Sequence, residues 1–140
     1  MQTSFTNKTS YFMESVKDAI SWFEIPVTDF ARAKSFYQTI FDFEMAEMEM
    51  PPFTMGIFLH DQENGGIGGA ICYEEGYKPS GGDGPKAYLN GGQDLNTVLH
   101  RVDGAGGSIV MPKTEIAPGM GYMAFFSDSE GNVVGLHSMG

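Results

Sequence analysis

The sequence holds one cysteine, Cys72, in 140 residues, so no disulfide can form within the chain. That economy suits a reducing compartment, and a cytoplasmic location is the expectation. Basic residues are scarce. Eight Lys and Arg stand against 18 Asp and Glu, a net charge of −10. No local basic cluster offsets that balance. Nucleic acid and anionic membrane surfaces are therefore excluded as partners, whereas a cationic small molecule would be attracted. No apolar run approaches the roughly 18 residues a membrane-spanning helix needs. The opening stretch, residues 1–17, is broken by Ser, Thr, Asn and Lys and lacks the apolar centre of a signal peptide. Motifs are also missing. There is no P-loop, no G-x-S-x-G elbow and no histidine pair at metal-ligand spacing among His60, His100 and His137. The run Gly65-Gly66-Ile67-Gly68-Gly69 has no helix after it, which makes it a poor dinucleotide fingerprint.

What is abundant is glycine, 19 residues, and methionine, 10 residues. The glycines fall between apolar runs and read as punctuation for many short elements. Met45, Met48, Met50 and Met55 lie close together, and such side chains fill irregular gaps or line adaptable surfaces. A single domain is expected at this length. Residues 1–18 read as an N-terminal extension whose Tyr11 and Phe12 form an apolar patch, with Met13 as an alternative start. Residues 19–140 form the domain, with repeats 19–75 and 86–139 joined by a Gly- and Pro-rich linker, 76–85.

Alternation predicts a strand over 20–27, with Phe23, Ile25 and Val27 on one face and Trp22, Glu24 and Pro26 on the other. Pro26 cannot donate to a ladder, so it belongs at the strand's end or at an edge. Asp29 is a candidate N-cap, and Phe30, Ala33, Tyr37, Ile40 and Phe41 mark one face of a helix over 30–41. Strands come next at 43–50, with a bulge expected between Ala46 and Glu47, and then at 53–60 and 67–73. The order then repeats. A strand at 86–90 precedes Asp94 as N-cap and a helix face of Leu95, Val98, Leu99 and Val102. Strands at 108–116, 121–127 and 133–138 complete the unit. Strand, helix and three strands are thus written twice.

Three segments carry a family resemblance. Phe23-Glu24-Ile25-Pro26-Val27-Thr28-Asp29, with Ala33-Lys34-Ser35-Phe36-Tyr37 and Phe41-Asp42-Phe43, resembles an opening strand, cap and helix. Residues 66–73 resemble a fourth strand. Ala124-Phe125-Phe126-Ser127-Asp128-Ser129-Glu130-Gly131-Asn132, with Val134 and Leu136, is similar to a closing F-x-D-P-D-G-N hairpin, with Ser129 where Pro is usual. All three point to the vicinal oxygen chelate (VOC) superfamily of glyoxalase I, bleomycin resistance proteins and extradiol dioxygenases. The resemblance implies an α+β glyoxalase-like fold, two βαβββ repeats forming a curved mixed sheet around a cleft. It also implies four metal-ligand positions, which align with Trp22, Ala70, Lys86 and Gly135. None of those four can complete such a site, so no cofactor is expected.

Alternation places Trp22, Glu24, Ala70, Cys72, Lys86, Tyr88, Gly135 and His137 on the cleft face. Trp22, Cys72 and Tyr88 are candidates for ligand binding, and Glu24, Lys86 and His137 for catalysis. Glu24 and Lys86 could equally form a structural ion pair, and Cys72 could be an inert small hydrophobe. Three functions compete. The first is a metal-free protein that binds a cationic or aromatic small molecule in the cleft. The second is a lyase or isomerase of the glyoxalase type, with Glu24 as base and Lys86 or His137 as electrophilic partner. The third is a non-catalytic dimeric interaction module. A homodimer is expected, because two-fold pairing covers exposed strand edges.

Overall fold

The first helix, α1 (Phe30–Phe41), forms where apolar side chains recur every three or four residues. The computed structural model describes residues 16–140, so Tyr11, Phe12, Met13 and most of the 1–18 extension lie outside the described residues. Asp29 caps α1 by accepting the Arg32 amide at 3.0 Å. Asp42, with φ of 53°, ends it in the left-handed conformation. Ala33, Phe36, Tyr37 and Ile40 form the buried face.

Strands β1 (Trp22–Pro26), β2 (Ala46–Met50), β3 (Phe53–Ile57) and β4 (Gly68–Tyr73) make one sheet, in the order β1-β4-β3-β2. β1 runs parallel to β4, and Pro26 is the last residue of an edge strand, where its missing N–H costs no ladder bond. The second unit repeats this plan. β5 (Tyr88–Asn90), β6 (Ser108–Ala117), β7 (Gly121–Ser127) and β8 (Val133–Ser138) form a sheet in the equivalent order β5-β8-β7-β6. The fold is α+β, two βαβββ units, as the sequence duplication implies.

Several expectations need correction. The second unit's helix is broken into α2 (Asn96–Leu99) and α3 (Val102–Ala105). The Arg101 amide bonds Val98 O, an i→i+3 turn that interrupts the helical ladder. Gly104 then weakens the last turn, and Gly106, with φ of 109°, ends it. β2 begins at Ala46, not 43, because Met45 turns inward and its amide bonds Gln38 Oε1 at 2.9 Å. No bulge separates Ala46 from Glu47, which pair in step with Ile57 and Gly56. The bulges lie in β6 instead. β5 begins at Tyr88, which leaves Lys86 outside the strand.

Both units share one hydrophobic core. Ile25, Phe36, Tyr37 and Ile71 of the first unit pack in the same cluster as Leu99, Val102, Phe126 and Leu136 of the second. Each such side chain contributes about 1.5–3 kcal/mol by leaving water. A polar clamp reinforces the seam. The Glu130 carboxylate, with its side chain fully buried, accepts hydrogen bonds from the amides of Thr28 and Asp29, the Thr28 hydroxyl, the Ser129 hydroxyl and the Arg32 guanidinium. Beside it, Asp128 accepts from the buried Tyr37 hydroxyl at 2.7 Å and from the Asn132 amide group, which also donates to Pro26 O. Burial and the neighbouring Asp128 raise the Tyr37 phenol well above its ordinary pKa. The closing hairpin is thus fastened to the start of α1.

The connection between the units, residues 74–87, is tied down rather than extended. The Tyr77 amide bonds Glu74 O, the Asp83 amide bonds Ser80 O, and Gly81 O receives the Val133 amide. The Tyr77 side chain packs on the first sheet, on the side away from α1.

Candidate functional site

Each sheet has one face against the helices and one face turned away. Register defines the second face. On the first sheet it carries Trp22, Glu24, Ala70, Cys72 and Met55. On the second it carries Tyr88, Gly135, His137, Phe125 and Met123. The alternation that predicts these sets is the simple two-residue period of a strand. β1 and β5 are each the outer strand of their sheet.

Trp22 is half-exposed, and its indole N–H donates to Glu24 Oε2 at 3.3 Å. The bond holds a carboxylate beside an aromatic face. Cys72 is fully buried with Ala70 and Met55, under Phe53, Ile57 and Tyr77. Burial pushes its thiol up to about 11, and the Glu24 and Glu74 carboxylates add to the shift. Tyr77 is raised in the same direction by burial and by Glu24. Cys72 is therefore a small hydrophobe beneath the face, not a group presented to a ligand. Under native conditions at neutral pH, a thiol reagent such as Ellman's should leave Cys72 unlabelled. The urea-unfolded chain should give one thiol per chain over the same interval. Rapid native labelling would contradict the buried placement.

The second sheet is built differently. The Tyr88 and Phe125 rings are 5.7 Å apart, and Lys86 Nζ sits 4.1 Å from the Phe125 ring centroid. That is a cation–π contact. Gly135 lets the Tyr88 ring lie close over the sheet, because a Cβ there would lie 2.6 Å from that ring. His137 Nε2 lies 2.9 Å from Met120 O. A carbonyl only accepts, so Nε2–H is the donor of this contact.

Among the described residues no ion pair joins Glu24 to Lys86, and Glu24, Lys86 and His137 are each engaged elsewhere. Sequence reasoning missed Phe125 and Tyr77. Phe125 could have been found from the alternation of β7, whereas Tyr77 sits in a segment without period. His60 is half-buried, with Nδ1 3.0 Å from Phe58 O, and His100 is exposed.

A cavity of about 420 Å³ opens near the outer strands β1 and β5, and of β1 it meets Phe23, which alternates to the face opposite Trp22 and Glu24. Phe23, Phe43, Phe58, Ile67, Tyr88 and Asn90 contribute to its wall. Of the three proposed ligand-binding residues, only Tyr88 lines it.

Comparison with solved structures decides the architecture. A glyoxalase I variant from Zea mays superposes with a TM-score of 0.65 at 21% identity, covering 84% of this chain and 45% of that one. A glyoxalase/bleomycin resistance protein from Albidiferax ferrireducens gives 0.63 at 13% identity, covering 86% and 98%. A fosfomycin resistance protein from Listeria monocytogenes gives 0.58 at 17% identity, covering 89% and 92%. The fold is that of the vicinal oxygen chelate superfamily. Residues 20–55 also match the family model described as Bleomycin resistance protein-like N-terminal. No curated protein matches the sequence. The chain spans less than half the length of the maize glyoxalase I chains it resembles.

The VOC fold implies a divalent metal at four strand positions, and the residues here do not fit one. Trp22 and Ala70 occupy β1 and β4, and Gly135 occupies β8. The residue opposite Gly135 on β5 is Tyr88 rather than Lys86, and neither residue restores a donor set. Among the described residues no group of three or more His, Cys, Asp or Glu side chains is placed to hold a metal ion. No described helix is long and apolar enough to cross a membrane.

Proposed function

We propose that this protein binds a small aromatic cation on the helix-free face of its first sheet and needs no metal to do so. The observation that carries the reading is the Trp22–Glu24 pair. An indole face and a carboxylate held side by side attract a flat cation through both its ring and its charge. The net charge of −10 favours the approach of cations.

N-methylquinolinium is a suitable probe, with neutral quinoline as its control. Calorimetric titration of the intact protein should show binding of the cation. Glu24→Gln should weaken it about fivefold while quinoline is unaffected. Equal loss for both probes would remove Glu24 from the site. Plasma mass spectrometry should find no stoichiometric divalent metal that binding depends on. We further propose a homodimer, supported by the exposed edge strands β2 and β6, which carry Met48, Met50, Ile109 and Val110 at the surface. Light scattering should give twice the chain mass of 15.3 kDa. A monomer mass at micromolar concentration would contradict it.

A further inference from the structure

The cavity near β1 and β5 differs in chemistry from the Trp22–Glu24 face, and neither Trp22 nor Glu24 lines it. Its walls are ring faces. Phe58 is the hub, with Phe23 at 5.5 Å, Phe41 at 6.2 Å and Phe43 at 6.3 Å between ring centroids. Three of the protein's exposed large apolar side chains gather at the cavity. Leu59 is 80% exposed, Ile20 53% and Tyr88 51%, and all three line it. Apolar side chains left in water around an apolar hollow mark a site that gains by being filled. Among the described residues no charged side chain lines the cavity, and the polar side chains that do are Tyr88 and Asn90. The Asn90 Oδ1 already accepts the Gly92 amide at 2.9 Å. That bond fixes the orientation of the side-chain amide and leaves its NH2 group as donor. The volume, about 420 Å³, suits one small ligand.

We infer that this cavity is a second binding site, for a neutral flat aromatic molecule bearing one hydrogen-bond acceptor such as a carbonyl oxygen. The aromatic body lies among Phe23, Phe43, Phe58 and Ile67. The acceptor meets the Asn90 NH2 or the Tyr88 hydroxyl at the β5 side. A cation is unsuited here, since among the described residues no carboxylate lines the wall to offset its lost hydration. The two sites thus divide ligands by charge, the outer face taking cations and the cavity taking neutral molecules.

The probe is 2-acetylnaphthalene, titrated into the full chain by calorimetry, with naphthalene as its acceptor-free analogue. The expected result is one site per chain for each. Ile67→Trp, which fills the cavity from its half-buried wall, should weaken both by about tenfold or more. Asn90→Ala should weaken 2-acetylnaphthalene about fivefold and leave naphthalene unchanged. A melting curve of each variant in the absence of probe separates loss of the site from loss of the fold. N-methylquinolinium should not displace 2-acetylnaphthalene. Absence of binding by the native chain, binding that survives Ile67→Trp in a folded variant, or displacement by the cation would each overturn the second site. None of these outcomes depends on Glu24, so failure here is distinguishable from failure of the cation-binding reading.

Discussion

Replacing Glu130 by alanine is expected to lower the stability of the folded chain by about 3 kcal/mol, read from urea denaturation. The buried carboxylate is held at about 2, below its ordinary value of 4.5. Burial alone would raise it, but the Arg32 guanidinium, the Asp29 amide and the Thr28 and Ser129 donors outweigh that penalty. The depression corresponds to about 3 kcal/mol held by the ionised form. The sign is direct. A carboxylate with a lowered folded pKa contributes its full stability above its unfolded value. That contribution is lost as pH falls from about 5 toward about 2. Glu130→Gln should therefore flatten the acid limb of the stability curve relative to the native protein. A loss under about 1 kcal/mol together with an unchanged acid limb would show that the clamp is ornamental.

Phe126→Ala should be more damaging still, by about 3–5 kcal/mol. Phe126 is fully buried, with its ring 6.0 Å from Phe36 and 6.4 Å from Tyr37. The substitution removes a ring from the second unit at the point where it meets the helix of the first. Because one core spans both units, unfolding should remain a single transition at lower denaturant. Trp22, the sole tryptophan, reports from the first unit. Its fluorescence should shift at the same midpoint as the circular dichroism. A Trp22 transition that stays where it was while dichroism moves would mean that the units are independently stable.

The duplicated βαβββ plan was legible because period and punctuation agree in most elements. α1 has a capping Asp29, a regular apolar face and a chain reversal at Asp42, and its observed limits match the spacing. β7 and β8 alternate cleanly around a hairpin and occupy the residues expected. The broken helix was not legible. Leu95, Val98, Leu99 and Val102 keep a helical spacing across a break that comes from one i→i+3 turn at Arg101. Nor was the role of Tyr77 legible, since a residue in a Gly- and Pro-rich connection carries no periodic signal. Strand alternation placed Trp22, Glu24 and Cys72 on one face, yet it cannot say which of them is covered. Cys72 is buried by Tyr77 from outside the strand. The Glu24–Lys86 pairing failed for a related reason. Lys86 precedes β5, and the ring of Phe125 draws its ammonium away. The cavity needs Phe43 and Phe58 from loop positions and Asn90 from the other unit, a juxtaposition that only the tertiary fold creates.

Binding of an aromatic cation at Trp22 without a metal is the central claim, and Trp22 itself supplies the readout. The intact protein, treated with a chelator and dialysed, should show saturable quenching of its tryptophan fluorescence on titration with N-methylquinolinium. The same curve should be obtained before chelation. Quenching that is linear and unsaturated, as for free indole, or that occurs only when a divalent metal is restored, would contradict metal-free binding at this face.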